Sequence, residues 1–149
     1  MLYNQKRYIE LFKKLERYEY KDVFYKLEKD LYLEFIAYES EIESYIFWKG
    51  RISLLLILEE FINKTISGEE FDEKFFQLFS QLLNECDTVK NDLRSEKLKD
   101  FVIDLRSENF GSLITFLRLE LDYFTDDYEN EELYTSIKTC FLNLQKKSY

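Results

Sequence analysis

Apolar side chains recur along almost the whole chain at intervals of three and four residues, the spacing that places them on one face of an α-helix. The first stripe predicts a helix from about residue 4 to residue 19 and consists of Tyr8, Leu11, Leu15 and Tyr18. A longer stripe predicts a helix from about 22 to 48 and consists of Phe24, Leu27, Leu31, Phe35, Tyr38, Ile42 and Tyr45. Because no sustained two-residue alternation is present, we expect an all-α fold of six or seven helices without a sheet.

These two helices are expected to form an antiparallel hairpin over residues 1–49, with the chain reversing near Tyr20 and Lys21. The turn chemistry there is weak, and a single bent helix is the alternative. The second stripe is rich in aromatic residues and resembles a coiled-coil seam. Such a seam either covers the rest of the fold or pairs with a second copy of the chain. We expect the second arrangement, a homodimer.

Residues 50–149 are predicted to form an antiparallel bundle with a four-helix-type core, packed with the hairpin as one compact unit. Gly50 is expected to end the hairpin, because glycine adopts a left-handed conformation without side-chain cost. The next helix covers about 52–63, and its buried face is formed by Leu54, Leu55, Leu58, Phe61 and Ile62. A fourth helix begins at Ser67-Gly68-Glu69-Glu70, where a serine three residues before a glutamate predicts a capping box. Its apolar face is formed by Phe71, Phe75, Leu78, Phe79, Leu82 and Leu83.

Three further helices complete the predicted bundle. The fifth covers about 87–106, with an apolar face of Leu93, Leu98, Phe101, Val102 and Leu105. After a loop at 107–111, the sixth carries Leu113, Phe116, Leu117, Leu119 and Phe124, and a turn follows at 125–127. The last is capped by Asn130, and Glu131 and Glu132 in its first turn complement the helix dipole. Its buried stripe is formed by Leu133, Ile137, Cys140, Phe141 and Leu144.

The sequence contains neither histidine nor proline. Without histidine, the chain lacks Ser-His-Asp and Cys-His nucleophile systems, helical Glu-x-x-His di-iron sites and zinc sites with imidazole ligands. The two cysteines, Cys86 and Cys140, are too few for a tetrahedral zinc site and fall at apolar helix positions. We expect both thiols to be buried and reduced. This indicates the cytoplasm, or an equivalent reducing compartment such as an organelle stroma.

Carboxylates are the remaining candidates for catalysis or metal binding. Glu39, Glu41 and Glu43 are expected to alternate around their helix without converging, and the adjacent Glu59 and Glu60 diverge likewise. No apolar run is long enough to span a membrane, and the first residues lack the apolar core of an export signal. The sequence therefore predicts a soluble, non-enzymatic protein that binds no cofactor, metal or membrane.

The net charge of −9 is unevenly distributed. Residues 1–50 carry 9 basic and 10 acidic side chains, whereas residues 51–149 carry 12 basic and 20 acidic ones. Acidity is densest from 120 to 132, which contains seven carboxylates and no lysine or arginine. One interpretation is a solvated helix end. The other is a docking face for a basic partner, since clustered charge steers association with an opposite patch. Direct binding of nucleic acid is disfavoured because it requires clustered Lys and Arg.

Three segments share features with one known family. The first is a helix, a capped turn and a second helix, Phe61-Ile62-Asn63-Lys64-Thr65-Ile66-Ser67-Gly68-Glu69-Glu70-Phe71. The second is the apolar helix from Leu113, which runs into Asp122-Tyr123-Phe124-Thr125-Asp126-Asp127. The third is the closing amphipathic helix, which ends in Phe141-Leu142-Asn143-Leu144-Gln145-Lys146-Lys147. Over about residues 52–147 the chain thereby resembles the colicin D-type immunity proteins.

This resemblance implies a small acidic helical bundle that protects a cell from a tRNA-cleaving toxin. Members of that family fill the toxin's basic substrate cleft with carboxylates that stand in for RNA phosphates. By position, Asp122 and Asp127 match the toxin-facing acidic residues of the family, and we add the neighbouring Asp126 and Glu129 on charge grounds. The hairpin of residues 1–48 has no counterpart in the family, and the segment 86–106 is longer than the family's loop there.

Two functions are therefore expected from the sequence. The first is a non-enzymatic, immunity-like inhibitor that binds a basic, tRNase-type toxin domain through an acidic face. The alternative is a structural or regulatory protein–protein interaction module, homodimeric through its hairpin, without inhibitory activity.

Overall fold

A computed structural model describes residues 2–123 and 130–148, with the side chains of the last two excepted. Seven α-helices and no strand occur in these ranges, which confirms the all-α prediction. The helices are α1 (Gln5–Leu15), α2 (Lys21–Leu27), α3 (Lys29–Lys49), α4 (Arg51–Ile62), α5 (Gly68–Arg94), α6 (Phe110–Tyr123) and α7 (Glu131–Ser148). A 3₁₀ turn at Leu105–Ser107 precedes α6. None of the described helices combines the length and apolar character needed to cross a membrane.

The predicted helix over 22–48 is divided in two at Glu28, whose φ of −138° and ψ of 57° interrupt the helical backbone. Side chains from the preceding segment hold Glu28 in place. Lys14 lies 2.8 Å from its carboxylate, and the Tyr18 hydroxyl donates a hydrogen bond to the same group. No glycine or proline marks this break, so the sequence pattern alone does not predict it. Leu27, placed in the buried stripe from the sequence, is exposed beside the break.

The fourth and fifth predicted helices are one continuous helix, α5, and the prediction of helix over 95–104 was wrong. α5 ends where Glu96 adopts a left-handed φ of 60°. The Lys97 N–H donates to the Asp92 carbonyl over 2.9 Å and the Glu96 N–H to the Leu93 carbonyl over 3.1 Å, the two bonds of a Schellman motif. Val102 and Leu105, predicted to be on the buried face, are 74% and 70% exposed.

The side-chain amide of Gln5, in the first turn of α1, fixes the segment after α5. Its nitrogen donates to the Leu98 carbonyl over 2.8 Å, and its oxygen accepts from the Phe101 N–H over 3.0 Å. Phe101 packs edge-on against Tyr3 and Tyr45. The Leu98 carbonyl and the Phe101 N–H, which a helix would pair within its own backbone, are therefore hydrogen-bonded to the side chain of Gln5.

α3 lies at the centre of the fold and packs on α1, α2, α5 and α6. α3 runs antiparallel to α5. Arg94, at the end of α5, pairs with Glu39 in the middle of α3, whereas Glu85, earlier in α5, pairs with Lys49 at the end of α3. The aromatic seam is buried within the chain: Phe35 stacks on Tyr8 at 5.6 Å, and Tyr38 meets Tyr3 edge-on at 5.8 Å. A homodimer would therefore have to use a different face.

Two glycines mark close approaches of helices. Gly50 has a φ of −83°, so the expected left-handed conformation was wrong. A Cβ at Gly50 would lie 2.8 Å from Leu82, and a Cβ at Gly111 would lie 2.8 Å from the Ser44 hydroxyl. The Gly111 N–H donates to that hydroxyl over 3.1 Å. Glycine at 111 thus allows α6 to approach α3 closely.

The buried face of α6 differs from the predicted one. Its buried side chains are Phe110, Ile114, Leu117 and Leu121. Phe116 and Leu119, predicted to be in the core, are 49% and 55% exposed. Leu83 of α5 is also partly exposed, at 39%. Phe124, the last member of the predicted stripe, lies outside the described residues.

The predicted caps of α5 and α7 are both present. The Ser67 hydroxyl accepts from the Glu70 N–H over 3.1 Å, which is the serine half of the predicted capping box. The Asn130 side chain accepts from the Glu132 N–H over 2.8 Å. In α7 the predicted stripe is confirmed at Leu133, Ile137, Cys140 and Leu144, all buried, with Phe141 half-buried.

We expect Ser67→Ala to lower the free energy of unfolding by roughly 1 kcal/mol, because the Glu70 N–H would lose its acceptor. Urea melts monitored by circular dichroism measure this. Ser80→Ala is the matched control, since Ser80 is exposed in the interior of the same helix. Alanine is favourable at such a position. Equal stabilities of the Ser67 variant and the parent would contradict a capping role.

Candidate functional site

Four helix ends meet at one end of the molecule. Residues 63–67 join the end of α4 to the start of α5. The Tyr134 hydroxyl, in the first turn of α7, donates to the Ile62 carbonyl over 3.1 Å and ties α7 to the same place. Arg51, at the start of α4, and Arg106, shortly before α6, both lie against Trp48. The starts of α4 and α6 are therefore together at the opposite end of the molecule. Because α6 packs against α7, it ends beside the start of α7.

We call this surface the acidic end, defined as residues 59–73, 120–123 and 130–132. The first turns of α5 and α7 each expose two glutamates there: Glu69, Glu70, Glu131 and Glu132. The salt bridges of the described part of this end involve other groups, Lys74 with Glu60 and Arg118 with Asp122. Among the described residues, these four carboxylates face solvent and form no salt bridge, although Lys74 lies near Glu70 and Lys64 lines the same depression as Glu131. Each lies in the first turn of a helix, where a negative side chain interacts favourably with the helix dipole.

Asp122 is the one member of the sequence-predicted site that the structure describes. Its side chain is 51% exposed in the last turn of α6, and its carboxylate lies 3.6 Å from the Arg118 guanidinium one turn earlier. An exposed pair of this kind contributes about 0–1 kcal/mol. Asp126, Asp127 and Glu129 lie outside the described residues.

A depression of about 710 Å³ opens in the acidic end, between the α4–α5 turn and α7. Phe61, Ile66 and Tyr134 provide its apolar lining, and Glu131 and Lys64 its charges. Lys64 adopts a left-handed φ of 57° and ends α4, and its ammonium lies 5.8 Å from the Tyr134 ring. An aromatic ring with a carboxylate nearby suits the side chain of a lysine or arginine. In this structure the chain's own Lys64 takes that position over the Tyr134 ring.

A second charged cluster lies between α3 and α5, and it corrects the expectation that the glutamates of α3 do not converge. Glu39 and Glu43 are four residues apart, and both contact the ammonium of Lys90. Glu39 also binds Arg94, whose guanidinium donates to the Tyr8 hydroxyl over 3.0 Å. Burial lowers the pKa of Lys90, but the hydrogen bond to Glu43 and the charge of Glu39 outweigh it and raise the pKa. The cluster joins α3 to α5 through ion pairs within the chain.

The two thiols are buried, as the sequence predicts. Burial raises the pKa of Cys86 to about 12 and that of Cys140 to about 11, so both are protonated at neutral pH. A protonated thiol is a poor nucleophile. The described residues contain no group of three or more Cys, Asp and Glu side chains able to hold a metal ion.

Comparisons of the chain with protein-family models, with curated proteins and with solved structures find no match. The resemblance to colicin D-type immunity proteins therefore depends on the three sequence segments alone. The predicted site did not include Glu69 and Glu70. The sequence identifies them as first-turn residues of a capped helix, but it does not show that α7 begins beside them.

Proposed function

We propose that this protein is a non-enzymatic, immunity-like inhibitor whose acidic end binds the basic cleft of a tRNase-type toxin domain. One observation supports the proposal most: the first turns of α5 and α7 and the last turn of α6 carry exposed carboxylates at one end of the molecule, where Glu131 lines a depression with an aromatic lining. Within the described part of the chain, Asp122 pairs with Arg118, whereas Glu69, Glu70, Glu131 and Glu132 form no salt bridge. The sequence between α6 and α7 contains three more acids, Asp126, Asp127 and Glu129, which lie outside the described residues.

The physical basis of inhibition is substitution of carboxylates for phosphates. A nuclease cleft binds RNA with lysines and arginines, and an acidic surface of matching shape competes for the same cations. Attraction between opposite charges accelerates the encounter of the two proteins. Salt weakens this attraction, because the screening length is about 10 Å at 0.1 M. Rate constants of association should therefore fall steeply with added salt.

We expect Asp122→Asn together with Asp127→Asn to leave stability unchanged and to weaken binding of the basic partner by roughly 2–5 kcal/mol. Stability is retained because the Arg118–Asp122 pair is exposed. Binding is lost because partner cations desolvated in the complex would lose their counter-ions. The measurements are thermal melting of the free variant and titration calorimetry with the basic protein that the parent chain retains from extracts of its own cells.

Glu10→Gln with Glu16→Gln is the matched control. Glu10 is 53% exposed and lies 3.7 Å from Arg7, nearly the same environment that Asp122 has beside Arg118. Both control residues belong to α1 or its C-cap, away from the acidic end. The control changes net charge by the same amount and should bind like the parent. Equal loss of affinity in both double variants would mean that only net charge matters, and unchanged affinity in both would place the interface elsewhere.

A further inference from the structure

α3 forms the floor of an open groove whose walls are α5 and α6. Three adjoining depressions of about 650, 340 and 250 Å³ all include Ser40 of α3 in their lining. Asp87, Lys90 and Arg94 of α5 line the largest of them, and Ser112 and Thr115 are among the residues that α6 contributes to the others. Next to the groove, the Gly111 N–H of α6 donates to the Ser44 hydroxyl of α3 over 3.1 Å.

The groove exposes apolar side chains on all three of its helices. Ile36 on the floor is 40% exposed, and Phe116 and Leu119 on the α6 wall are 49% and 55% exposed. Leu83, which is 39% exposed, precedes Lys90 by seven residues and so lies on the same face of α5. One end of the groove is closed where Phe47 stacks on Phe79 at 5.7 Å. These side chains flank the place that one more helix would occupy in a bundle.

The charge of the groove is negative. Six described carboxylates contribute to its lining, namely Glu39, Glu41, Glu43, Asp87, Asp104 and Glu108. Three described cations contribute, namely Lys21, Lys90 and Arg94. Lys90 and Arg94 are already paired with Glu39 and Glu43, and Asp104 is paired with Arg106. An occupant therefore meets a polar floor around Ser40, apolar side chains at Ile36, Phe116 and Leu119, and more carboxylates than cations.

We propose that this groove binds a cationic amphipathic helix of a partner protein. The floor from Ile36 to Phe47 spans about 16 Å, or three helical turns, at 1.5 Å per residue. A helix of that length presents apolar residues at i, i+3, i+4 and i+7 to the groove and its lysines or arginines to the rim. The surface is separate from the acidic end, so this inference does not depend on the proposed inhibitory function.

The test uses a fluorescein-labelled model peptide of leucine and lysine, about 18 residues long and with helical spacing of its leucines. Fluorescence anisotropy measures its affinity for the parent chain and for two lysine variants. Leu119→Lys places a charge in the groove, and Leu56→Lys places the same charge on α4 at the same exposure of 55%. We expect the first to weaken binding about tenfold or more, which is 1.4 kcal/mol, and the second to change it less than twofold.

Nitrogen-15 amide shifts with the unlabelled peptide locate the site. Shifts concentrated in residues 36–47, 83–94 and 111–119 are the expected result. Shifts concentrated in the acidic end, or equal weakening by the two lysine variants, would overturn the groove as the site. A peptide with glutamates in place of lysines is expected to bind at least tenfold more weakly, and equal binding would overturn the charge of the occupant. A scrambled peptide of the same composition that binds equally well would overturn its helical form.

Discussion

Replacing Phe71 with alanine is expected to lower the free energy of unfolding by about 3–5 kcal/mol. Phe71 is fully buried in the first turn of α5. Its ring stacks on Phe61 of α4 at 4.5 Å and contacts Phe75 at 6.3 Å. Alanine would leave a cavity where α4 and α5 meet and would remove the aromatic contacts together with the buried area. Urea unfolding followed by circular dichroism gives the free energy directly.

Phe116→Ala is the matched control for this prediction. It removes the same ring from a helix, but the ring is 49% exposed in the structure. We expect a loss below about 1 kcal/mol, since partly exposed side chains away from the core contribute little. The pair of variants also tests the corrected face of α6. A loss of 3 kcal/mol or more at Phe116 would restore the sequence prediction that Phe116 lies in the core.

Replacing Glu39 with glutamine is expected to cost about 3 kcal/mol, the lower limit for breaking a buried ion pair. The Glu39 side chain is 10% exposed and contacts both Lys90 and Arg94. Glutamine keeps the shape and removes the charge, so Lys90 would keep only Glu43 and Arg94 would lose its carboxylate partner. Arg94 would retain its hydrogen bond to the Tyr8 hydroxyl, which limits the loss.

Glu60→Gln is the control for the Glu39 variant. Glu60 lies 2.8 Å from Lys74 in an exposed pair, with side-chain exposures of 41% and 45%. Breaking an exposed pair should cost less than about 1 kcal/mol. The two substitutions are chemically identical and differ in burial. Chemical denaturation that finds equal losses for both would contradict the assignment of the α3–α5 cluster as a structural ion network.

The ends of helices show where sequence reasoning succeeds and where it fails. Ser67 and Asn130 were predicted as caps, because a cap depends on residues only two or three positions away. The end of α4 was predicted near residue 63 and lies at Ile62, but the end of α5 was not predicted. Glu96 takes the left-handed position that glycine usually occupies at a helix end, so the glycine signal is absent. The break at Glu28 depends on Lys14 and Tyr18, which are distant in sequence.

The candidate site was partly predictable for the same reason. The dense acidity around residues 120–132 is visible in the sequence, and Asp122 is exposed as an interaction residue must be. The addition of Glu69 and Glu70 was not predictable, since it depends on α7 packing against the end of α4 through Tyr134 and Ile62. The groove was missed because an apolar-rich helix such as α6 offers two plausible stripes. The sequence favoured the one that contains Phe116 and Leu119, and the structure buries Ile114 and Leu121.

The most direct test of the proposed function is the rate of RNA cleavage by the basic protein that this chain retains, measured as the chain is titrated into it. We expect cleavage to stop at one equivalent of the chain. The Asp122→Asn, Asp127→Asn double variant should abolish the inhibition, and the Glu10→Gln, Glu16→Gln double variant should not. A retained partner without nuclease activity, or a complex that cleaves RNA as fast as the free partner does, would contradict the proposed inhibitory function.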